Sequence, residues 1–269
     1  MTVNIARRSR DRWRIFQQAC LAHGGRSLAR GINLLFPPTC AVCDVGLDDV
    51  TSGPLLCDTC QQTLVCQQPY CFACGTTQAP GVGAADSCAW CRPQKLRFDG
   101  VVRLGRYVDP LRKSVLATKH LRGQPLALSL AELLWRERQS ELRARQLDVV
   151  VPIPMHWSRR AWRGFNNPDV AARRLAVHLG LPQAAHLLRR ARHTQPQADL
   201  SPPQRRENVR GAFRASKHAD LTGARVLLVD DILTTGATAS EAARVLKQAG
   251  AAHVTVAVIA RAEEGLRAR

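Results

Sequence analysis

Residues 226–238 read Val-Leu-Leu-Val-Asp-Asp-Ile-Leu-Thr-Thr-Gly-Ala-Thr, and their pattern indicates the class of fold. Its first four residues are apolar and β-favouring, which is typical of a strand buried on both faces in a parallel sheet. Further along, apolar residues recur at helical spacing, namely Ala242, Val245, Leu246 and Ala249. Gly250 then stands where a helix end favours a left-handed residue. The stretch therefore predicts a strand, a turn and a helix, the unit from which α/β proteins are built.

The turn between the predicted strand and helix combines two kinds of ligand chemistry. A helix N-terminus offers unpaired backbone N–H groups and the positive end of the macrodipole, which together bind an anion such as phosphate. Carboxylates beside it fit a ligand that also carries hydroxyl groups or brings Mg²⁺, and a ribose 5-phosphate has both features. The candidate binding residues are Asp230, Asp231, Thr234, Thr235, Gly236, Ala237 and Thr238.

Two other interpretations fit part of this stretch. It could be an ordinary strand–turn–helix unit with an acidic turn, or it could be the Walker B strand of an NTPase. A Walker B strand needs a partner loop of the form G-x-x-x-x-G-K-[ST], and the chain contains no such run. The ribose phosphate interpretation is therefore favoured over the NTPase.

The length of 269 residues suffices for one large domain or two smaller ones. No apolar run approaches the roughly 20 residues needed to cross a bilayer. Residues 1–30 contain seven Arg and one Asp but lack the apolar segment of a secretory signal. An organelle transit peptide is one interpretation of this start. An arginine-rich bacterial protein is the simpler one, and we expect a cytoplasmic location.

The formal net charge of +18 is unevenly distributed along the chain. Residues 152–217 hold 13 Lys and Arg against 3 Asp and Glu, a local charge of +10. Such a field attracts polyanions such as diphosphates, nucleotides or nucleic acid. The alternative is that an arginine-rich genome places arginine on solvated helix faces.

Eight of the ten cysteines form four C-x-x-C pairs in the N-terminal third. The first two pairs are separated by 13 residues, as are the last two, so the second unit repeats the first at an offset of 31. The predicted metal ligands are Cys40, Cys43, Cys57 and Cys60 in one unit and Cys71, Cys74, Cys88 and Cys91 in the other. Cys20 and Cys66 are interpreted as ordinary thiols.

Four thiolates form the tetrahedral shell that zinc prefers, and C-x-x-C pairs at this spacing favour zinc over iron. Disulfides and a redox pair are alternatives, but nothing indicates an oxidising compartment and redox C-x-x-C motifs usually occur once. Residues 34–93 contain few large apolar side chains, so we expect two structural zinc ions to supply folding free energy there. The sequence leaves open whether each unit closes on itself or the pairs interleave.

Periodicity predicts the elements of the C-terminal region. Strands are expected at 101–107 and 149–151, and helices at 110–121, 126–145 and 168–178. Lys119 and Arg122 precede Gly123 and are either diphosphate-binding cations or solvated charges at a helix end. Residues 195–208, rich in Pro, Gln and Arg, are interpreted as a mobile loop that closes over a reacting centre or as an ordinary surface excursion.

Longer motifs resemble those of a known family. Residues 151–167 read Val-Pro-Ile-Pro-Met-His-Trp-Ser-Arg-Arg-Ala-Trp-Arg-Gly-Phe-Asn-Asn, residues 192–201 read Arg-His-Thr-Gln-Pro-Gln-Ala-Asp-Leu-Ser, and residues 205–213 read Arg-Arg-Glu-Asn-Val-Arg-Gly-Ala-Phe. With residues 226–238 and the paired cysteine units, these motifs resemble the competence protein F family. One departure is Asn167, where the family more often has glutamine.

The resemblance implies an α/β fold of the type I phosphoribosyltransferase kind: a Rossmann-like parallel sheet with helices on both faces, preceded by a small double zinc ribbon. It implies a basic N-terminal helix or extension at 1–33, the ribbon at 34–95 and the transferase-like domain at 96–269. It also implies that phosphoribosyl diphosphate (PRPP) binds with Mg²⁺. Asp230 and Asp231 would bind the ribose hydroxyls, and Arg159, Arg160 and Lys119 the diphosphate, while the 5-phosphate would bind at 234–238.

Two functions agree with these implications. An enzyme would transfer the phosphoribosyl group to a nitrogen nucleophile, with the protein supplying positioning and electrostatic stabilisation. A binding module would act as a PRPP sensor or as an accessory protein for single-stranded DNA, since the family takes its name from natural competence and is linked to DNA uptake. No segment of the sequence identifies an acceptor base or amine, so both functions stay open.

Overall fold

The computed structural model describes residues 37–48, 53–79, 81, 86–120, 123–155, 166–192, 194–195, 200–217 and 219–263. Several sequence predictions lie outside these ranges. They are the basic N-terminal extension and three candidate diphosphate ligands, Arg122, Arg159 and Arg160. Within the described ranges, none of the helices combines the length and the apolar character needed to cross a lipid bilayer.

A four-stranded parallel sheet forms the centre of the fold. Its strands are β1 (Gly100–Arg106), β2 (Val149–Pro152), β5 (Arg225–Leu233) and β6 (His253–Arg261), in the spatial order β1-β6-β5-β2. Because all pairings in this sheet are parallel, the carboxyl ends of the strands share one edge, where ligands bind in open α/β folds. A separate antiparallel pair contains β3 (Leu188–Arg190) and β4 (Phe213–Ala215).

Helices cover both faces of the parallel sheet, which explains why its strands are almost entirely apolar. On one face, α3 (Gln124–Ala144) and α4 (Asn167–Leu179) pack against alternate strand residues such as Leu227. On the other face, α6 (Ala237–Gln248) packs against the intervening residues, such as Leu228. Shorter helices are α1 (Asp58–Leu64), α2 (Leu111–Ala117) and α5 (Pro202–Val209). The predicted α/β architecture is confirmed.

The segment at 195–208 differs from the sequence prediction. Its second half is not a mobile loop, because α5 occupies most of it. Ser201 is the N-cap, two prolines suit the first turn, and the Gln204 side chain accepts the Ser201 N–H at 2.8 Å. The loop interpretation is therefore wrong for this half, and residues 196–199 lie outside the described ranges.

β5 is longer than its four apolar residues suggested. The strand continues through both aspartates to Leu233, because its pairing with β6 continues as far as Arg261. The acids therefore belong to the end of a strand in the sheet, which holds their backbone more firmly than a turn would.

The cysteine-rich region packs against the outer edge of β1 and against α3. The backbone N–H of Val101 donates to the carbonyl oxygen of Phe72 at 2.8 Å, and the N–H of Cys66 donates to that of Leu104 at 3.2 Å. α3 bends at Arg138, where φ is −126°, and the guanidinium of this residue donates to the Cys66 carbonyl oxygen at 2.7 Å. The segment that joins the two cysteine units is thus bonded to both a strand and a helix of the α/β region.

Candidate functional site

Two adjacent carboxylates stand near the carboxyl end of β5. Asp230 and Asp231 line a cavity of about 10 Å³ together with Thr118 and Asn167, roughly the space for one water molecule. The Asn167 amide nitrogen donates to Thr118 Oγ1 at 2.7 Å. Its Oδ1 atom is buried and has no hydrogen-bond partner among the described residues. The cavity therefore combines two acids with an additional oxygen acceptor.

The environment of the acid pair disfavours two negative charges. Although part of Asp230 is solvent-accessible, burial of its carboxyl group raises its pKa well above the usual range, and the neighbouring Asp231 carboxylate raises it further. Lys119 opposes these effects from the turn after α2, with its Nζ atom 3.8 Å from Asp231 Oδ2. A cation or a hydroxyl donor would relieve the same repulsion, so the pair suits a ligand that brings either.

The turn after β5 has the geometry of an anion site. Gly236 is the N-cap of α6 with φ of +78°, a conformation that glycine adopts without strain. A Cβ atom at this position would lie 3.3 Å from Leu96 and 3.4 Å from Phe98, so a side chain is also disfavoured by packing. α6 begins at Ala237, so the positive end of its dipole follows the acid pair closely along the chain, and the N–H of Ala237 donates to Thr235 Oγ1 at 3.4 Å. The structure thus assembles the residues predicted from the sequence, and their ligand roles stay predictions.

The second half of the predicted site is only partly described. Lys119 lies at the acid pair, as its ion pair shows. β2 ends next to β5, with Pro152 opposite Val229, so the segment that carries Arg159 and Arg160 starts from the same edge. Those two arginines lie outside the described residues, and their role toward a diphosphate stays a prediction.

Two groups of four cysteines are assembled, and each group comes from one sequence unit. The first contains Cys40, Cys43, Cys57 and Cys60, and the second contains Cys71, Cys74, Cys88 and Cys91; the Sγ atoms of each lie within 4.8 Å of one another. Measured adjacent pairs are 3.6 or 3.8 Å apart. A tetrahedral shell with Zn–S distances of about 2.3 Å has S–S edges of about 3.8 Å, whereas a disulfide bond is about 2.05 Å long. The donor sets therefore fit structural zinc, and each unit closes on itself.

One thiol in each group ionises near neutral pH. Burial opposes ionisation of Cys40, but hydrogen bonds from the backbone of Cys57 and Cys43 lower its pKa to about 6. Burial also opposes ionisation of Cys88, and hydrogen bonds that include the backbone of Cys91 lower its pKa to about 7. Burial raises the pKa of Cys60 in the first group and of Cys74 in the second. The thiolate is the form that binds a metal ion, so each group has one thiol that ionises readily beside others whose ionisation a bound cation would favour.

Two domain models match separate parts of the chain. Residues 31–92 match the model of the double zinc ribbon domain, and residues 121–269 match that of the phosphoribosyl transferase domain. The chain is 31% identical over 227 residues to competence protein F of Haemophilus influenzae, which covers 83% of this chain and 96% of that protein. The chain belongs to the competence protein F family. It is also 32% identical, over the same shares of both chains, to the DNA utilization protein YhgH of Salmonella typhimurium.

The similarity of this chain to solved structures is weaker than its similarity to the competence protein F family. The glutamine PRPP amidotransferase from B. subtilis, complexed with ADP and GMP, is similar over 54% of this chain, with 21% identity and a TM-score of 0.36. This chain covers 30% of that enzyme's chain. So low a score carries no functional argument, and the fold assignment rests on the domain match and the observed sheet.

Two residues at or near this site were not predicted from the sequence as site residues. Asn167 was identified only as a departure from the family pattern, yet it lines the same cavity as the two acids. Arg261 was not identified at all, yet it is 1% exposed and its Nη1 atom donates to the Leu233 carbonyl oxygen at 3.1 Å. Arginine is normally expected at the surface. Its position at the end of residues 254–260, which are apolar except for Thr255, was the available signal.

Proposed function

We propose that the chain binds PRPP with Mg²⁺ at the carboxyl edge of the sheet and transfers its phosphoribosyl group to a nitrogen acceptor. The observation that carries this proposal is that the acid pair of β5 is followed, after one short turn, by the N-terminus of α6. A ribose 5-phosphate needs acceptors for its hydroxyls and donors for its phosphate, and here the two sets are adjacent. Membership of a family with a phosphoribosyl transferase domain supports the same ligand.

Each part of the site has a proposed role. Asp230 and Asp231 bind the 2- and 3-hydroxyls of the ribose, directly or through Mg²⁺. The 234–238 turn binds the 5-phosphate, and Lys119 with Arg159 and Arg160 stabilises the negative charge that develops on the departing diphosphate. As the bond from the ribose C1 to the diphosphate oxygen breaks, the acceptor nitrogen forms its bond to C1 and afterwards releases a proton. The protein positions the reactants and supplies electrostatic stabilisation.

Calorimetry with PRPP and Mg²⁺ tests the ligand assignment. The double variant Asp230→Asn with Asp231→Asn removes both carboxylates, and we expect its affinity to fall by at least about 100-fold, because charged hydrogen bonds and metal contacts are both lost. Asp48→Asn with Asp58→Asn changes the charge equally at exposed positions of the cysteine-rich region, and it should bind like the wild type. Equal affinities of the two double variants would exclude the proposed site.

Asp230 makes a pH-dependent contribution to the free energy of unfolding, and the single variant Asp230→Asn should remove it. Its pKa is raised in the folded chain, so its contribution to stability is complete below the ordinary Asp pKa of about 3.9 and is lost as pH rises through the folded value. Urea unfolding should therefore show Asp230→Asn gaining stability relative to the wild type as pH rises through that window. PRPP affinity of the wild type should rise over the same window, because the ionised carboxylate is the binding form. A pH-independent difference between the two proteins would contradict this interpretation.

An assay of diphosphate release distinguishes catalytic turnover from PRPP binding alone. We expect release when PRPP, Mg²⁺ and the correct acceptor are supplied from a panel of nucleobases and amines. Tight PRPP binding without release for any acceptor would instead favour a non-catalytic PRPP sensor. Structures of crystals soaked with PRPP, Mg²⁺ and the same panel would show whether an acceptor pocket forms. We place either activity in the cytoplasm, where thiols stay reduced for zinc binding.

A second candidate function, binding of single-stranded DNA, is favoured by one specific observation. Arg189 and Arg214 lie directly opposite each other on β3 and β4 and line a cavity of about 310 Å³ with Arg190. Like charges in such a cross-strand pair repel each other, and neither Arg189 nor Arg214 forms an ion pair with a carboxylate among the described residues. A polyanion would relieve this repulsion, and relatives carry the names competence protein F and DNA utilization protein.

Salt dependence tests this second candidate. Binding of a labelled single strand should weaken steeply as salt rises, and Arg189→Ala with Arg214→Ala should reduce the slope by about two phosphate contacts. Arg112→Ala with Arg136→Ala, a pair outside this cavity, provides the charge-matched control. Absence of binding at low salt would remove the DNA function.

A further inference from the structure

Arg261 lies at the end of β6 and is fixed on one side by the second cysteine group. Its Nε atom donates to the carbonyl oxygen of Cys74 at 2.8 Å, and its Nη2 atom donates to Thr76 Oγ1 at 3.3 Å. The guanidinium carbon lies 4.5 Å from the centre of the Trp90 ring. Arg261 therefore contacts three residues of the second cysteine unit. They are the predicted zinc ligand Cys74, Thr76 two positions later, and Trp90 between Cys88 and Cys91.

The other side of the same guanidinium contacts the turn after β5. Nη1 donates to the carbonyl oxygen of Leu233 at 3.1 Å and also to those of Thr234 and Ala262. Each carbonyl shares a rigid peptide plane with the N–H of the next residue. Fixing the carbonyls of 233 and 234 therefore orients the N–H groups of 234 and 235, which open the proposed phosphate site.

A second set of contacts connects the same two regions. Leu96 and Phe98, which follow the second cysteine group, lie against Gly236, where an added Cβ atom would be only 3.3 Å from Leu96 and 3.4 Å from Phe98. Between them, the backbone N–H of Arg97 donates to Ser240 Oγ of α6 at 3.0 Å. The segment after the second group therefore supports both the turn and the first turn of the helix.

The first cysteine group has a different connection. Among the described residues, no hydrogen bond joins 37–48 or 53–64 to the segment 233–240. Cys40 and Cys60 instead belong to the apolar core that contains residues of α3. Any link between zinc and the turn should therefore be specific to the second group.

We propose that Arg261 is a positioning residue that couples the second zinc site to the turn that binds the ribose phosphate. When the second group holds its zinc, the Cys74 carbonyl is fixed, and Arg261 holds the turn in its binding conformation. Coupling between two sites is reciprocal, so ligand at the turn also retains zinc in the second group. The identity of that ligand as PRPP with Mg²⁺ rests on the proposed function, while the coupling does not.

Cysteine alkylation of the full-length, zinc-loaded chain measures the coupling. With N-ethylmaleimide and a zinc-selective chelator that leaves Mg²⁺ free, mass spectrometry of peptides reports separately how fast each cysteine group opens. We expect PRPP with Mg²⁺ to slow alkylation of the second group about tenfold, within the usual range of coupling between sites, and to leave the first group unchanged. Equal protection of both groups, or protection of neither in a chain that binds PRPP, would overturn the proposal.

Arg261→Lys and Arg103→Lys form a matched pair of variants. Both residues are fully buried arginines in neighbouring strands. Arg103 donates to Thr77 Oγ1 at 2.8 Å and stacks on Tyr70, so it contacts the cysteine-rich region but not the turn. Arg261→Lys should abolish ligand protection of the second group, whereas Arg103→Lys should keep it. Retained protection in Arg261→Lys would refute the role of this residue.

Hydrogen exchange of the wild type tests the coupling between the second cysteine group and the turn, and it needs neither a variant nor a ligand. When zinc is lost from the second group of the wild type, amides of 234–239 should exchange several-fold faster, while amides of β2 stay protected. Unchanged exchange at 234–239 would overturn the coupling. If calorimetry detects no PRPP binding but this exchange difference is present, the proposed function fails and the coupling stands.

Discussion

The two cysteine units are copies in sequence and in local structure. In both, the N–H of the residue after the second cysteine returns to the carbonyl oxygen of the first, at 2.9 Å in unit one and 2.8 Å in unit two. The isolated bridges between Thr39 and Gly46 and between Tyr70 and Thr77 also correspond at the offset of 31. The backbone turn around the first C-x-x-C pair is therefore the same in both units.

The surroundings of the two units differ. In unit one, Cys40 and Cys60 are part of the largest apolar cluster, together with Leu130 and Leu133 of α3. In unit two, the buried cysteines form a small cluster of their own, and buried arginines connect that cluster to the sheet. One copy thus completes the core of the fold and the other is connected by polar contacts to the candidate site. Duplication of a metal motif has produced two neighbours with different physical roles.

The largest test of this difference compares Cys60→Ser with Cys91→Ser, which occupy equivalent positions and are both buried. Each variant should lose one zinc. Cys60→Ser should cost the whole chain several kcal/mol, because a structural zinc site contributes on the order of 10 kcal/mol and its ligand here belongs to the main core. Cys91→Ser should lower Tm less and PRPP affinity more.

Zinc content, Tm and calorimetry on these variants provide the measurement. Cys66→Ser, outside both groups, is the control and should keep two zinc ions. Equal Tm losses with equal affinity losses in Cys60→Ser and Cys91→Ser would show that the two units do not differ in role.

The next largest effect is expected for Gly75→Asp, which gives unit two the residue found in unit one. Gly75 has φ of +74°, and a Cβ atom there would lie 2.8 Å from Val101 Cγ1 of β1. Overpacking and left-handed strain together should cost about 2–4 kcal/mol in urea unfolding. A cost below that of the reciprocal exchange in unit one would contradict the packing argument.

A smaller effect separates two serines, one of which accepts a hydrogen bond from the cysteine-rich region and the other from the segment that follows it. Ser129 of α3 is buried and accepts the Leu55 N–H at 3.1 Å, whereas Ser240 of α6 is half-buried and accepts the Arg97 N–H at 3.0 Å. Ser129→Ala should cost about 1–2 kcal/mol, because the half-buried Leu55 N–H loses an acceptor that lies inside the protein. Ser240→Ala should cost less in chemical denaturation, since water can replace its hydroxyl, and the reverse order would count against the difference in burial.

The smallest effect is expected for Asp44→Gly in unit one. Asp44 is exposed and has φ of +60°, the position that Gly75 occupies in unit two. Glycine relieves the left-handed strain but adds freedom to the unfolded chain, so the change in unfolding free energy should stay within about 0.5 kcal/mol of zero. Differential scanning calorimetry beside Gly75→Asp would show whether the tolerance of this position depends on its neighbours.

Much of this molecule follows from sequence patterns because the patterns are local. The C-x-x-C spacing predicts both metal groups, and the run through Asp230 and Gly236 predicts a strand, a turn and a helix in the right order. The α5 helix was also available from local signals, since Ser201 and Gln204 form a capping box.

Other features depend on contacts between distant parts of the chain. Cys74 and Arg261 are separated by 187 positions, and no local period indicates that one donates to the other. The sequence likewise could not decide whether each metal group takes its cysteines from one unit or from both, because the C-x-x-C spacing is the same in either arrangement. The contacts that distinguish the two units are therefore the ones that sequence reasoning could not supply.

The backbone bonds along the outer side of β1 have a consequence for shortened forms of the chain. The N–H of Val101 and the carbonyl of Leu104 are engaged by Phe72 and Cys66, so the border strand of the sheet has neighbours on both sides. A fragment beginning at residue 96 would present these groups to solvent as an open strand, ready to pair with another copy. Such a fragment should aggregate rather than yield a smaller working domain, and the cysteine-rich region thereby protects the chain against self-association.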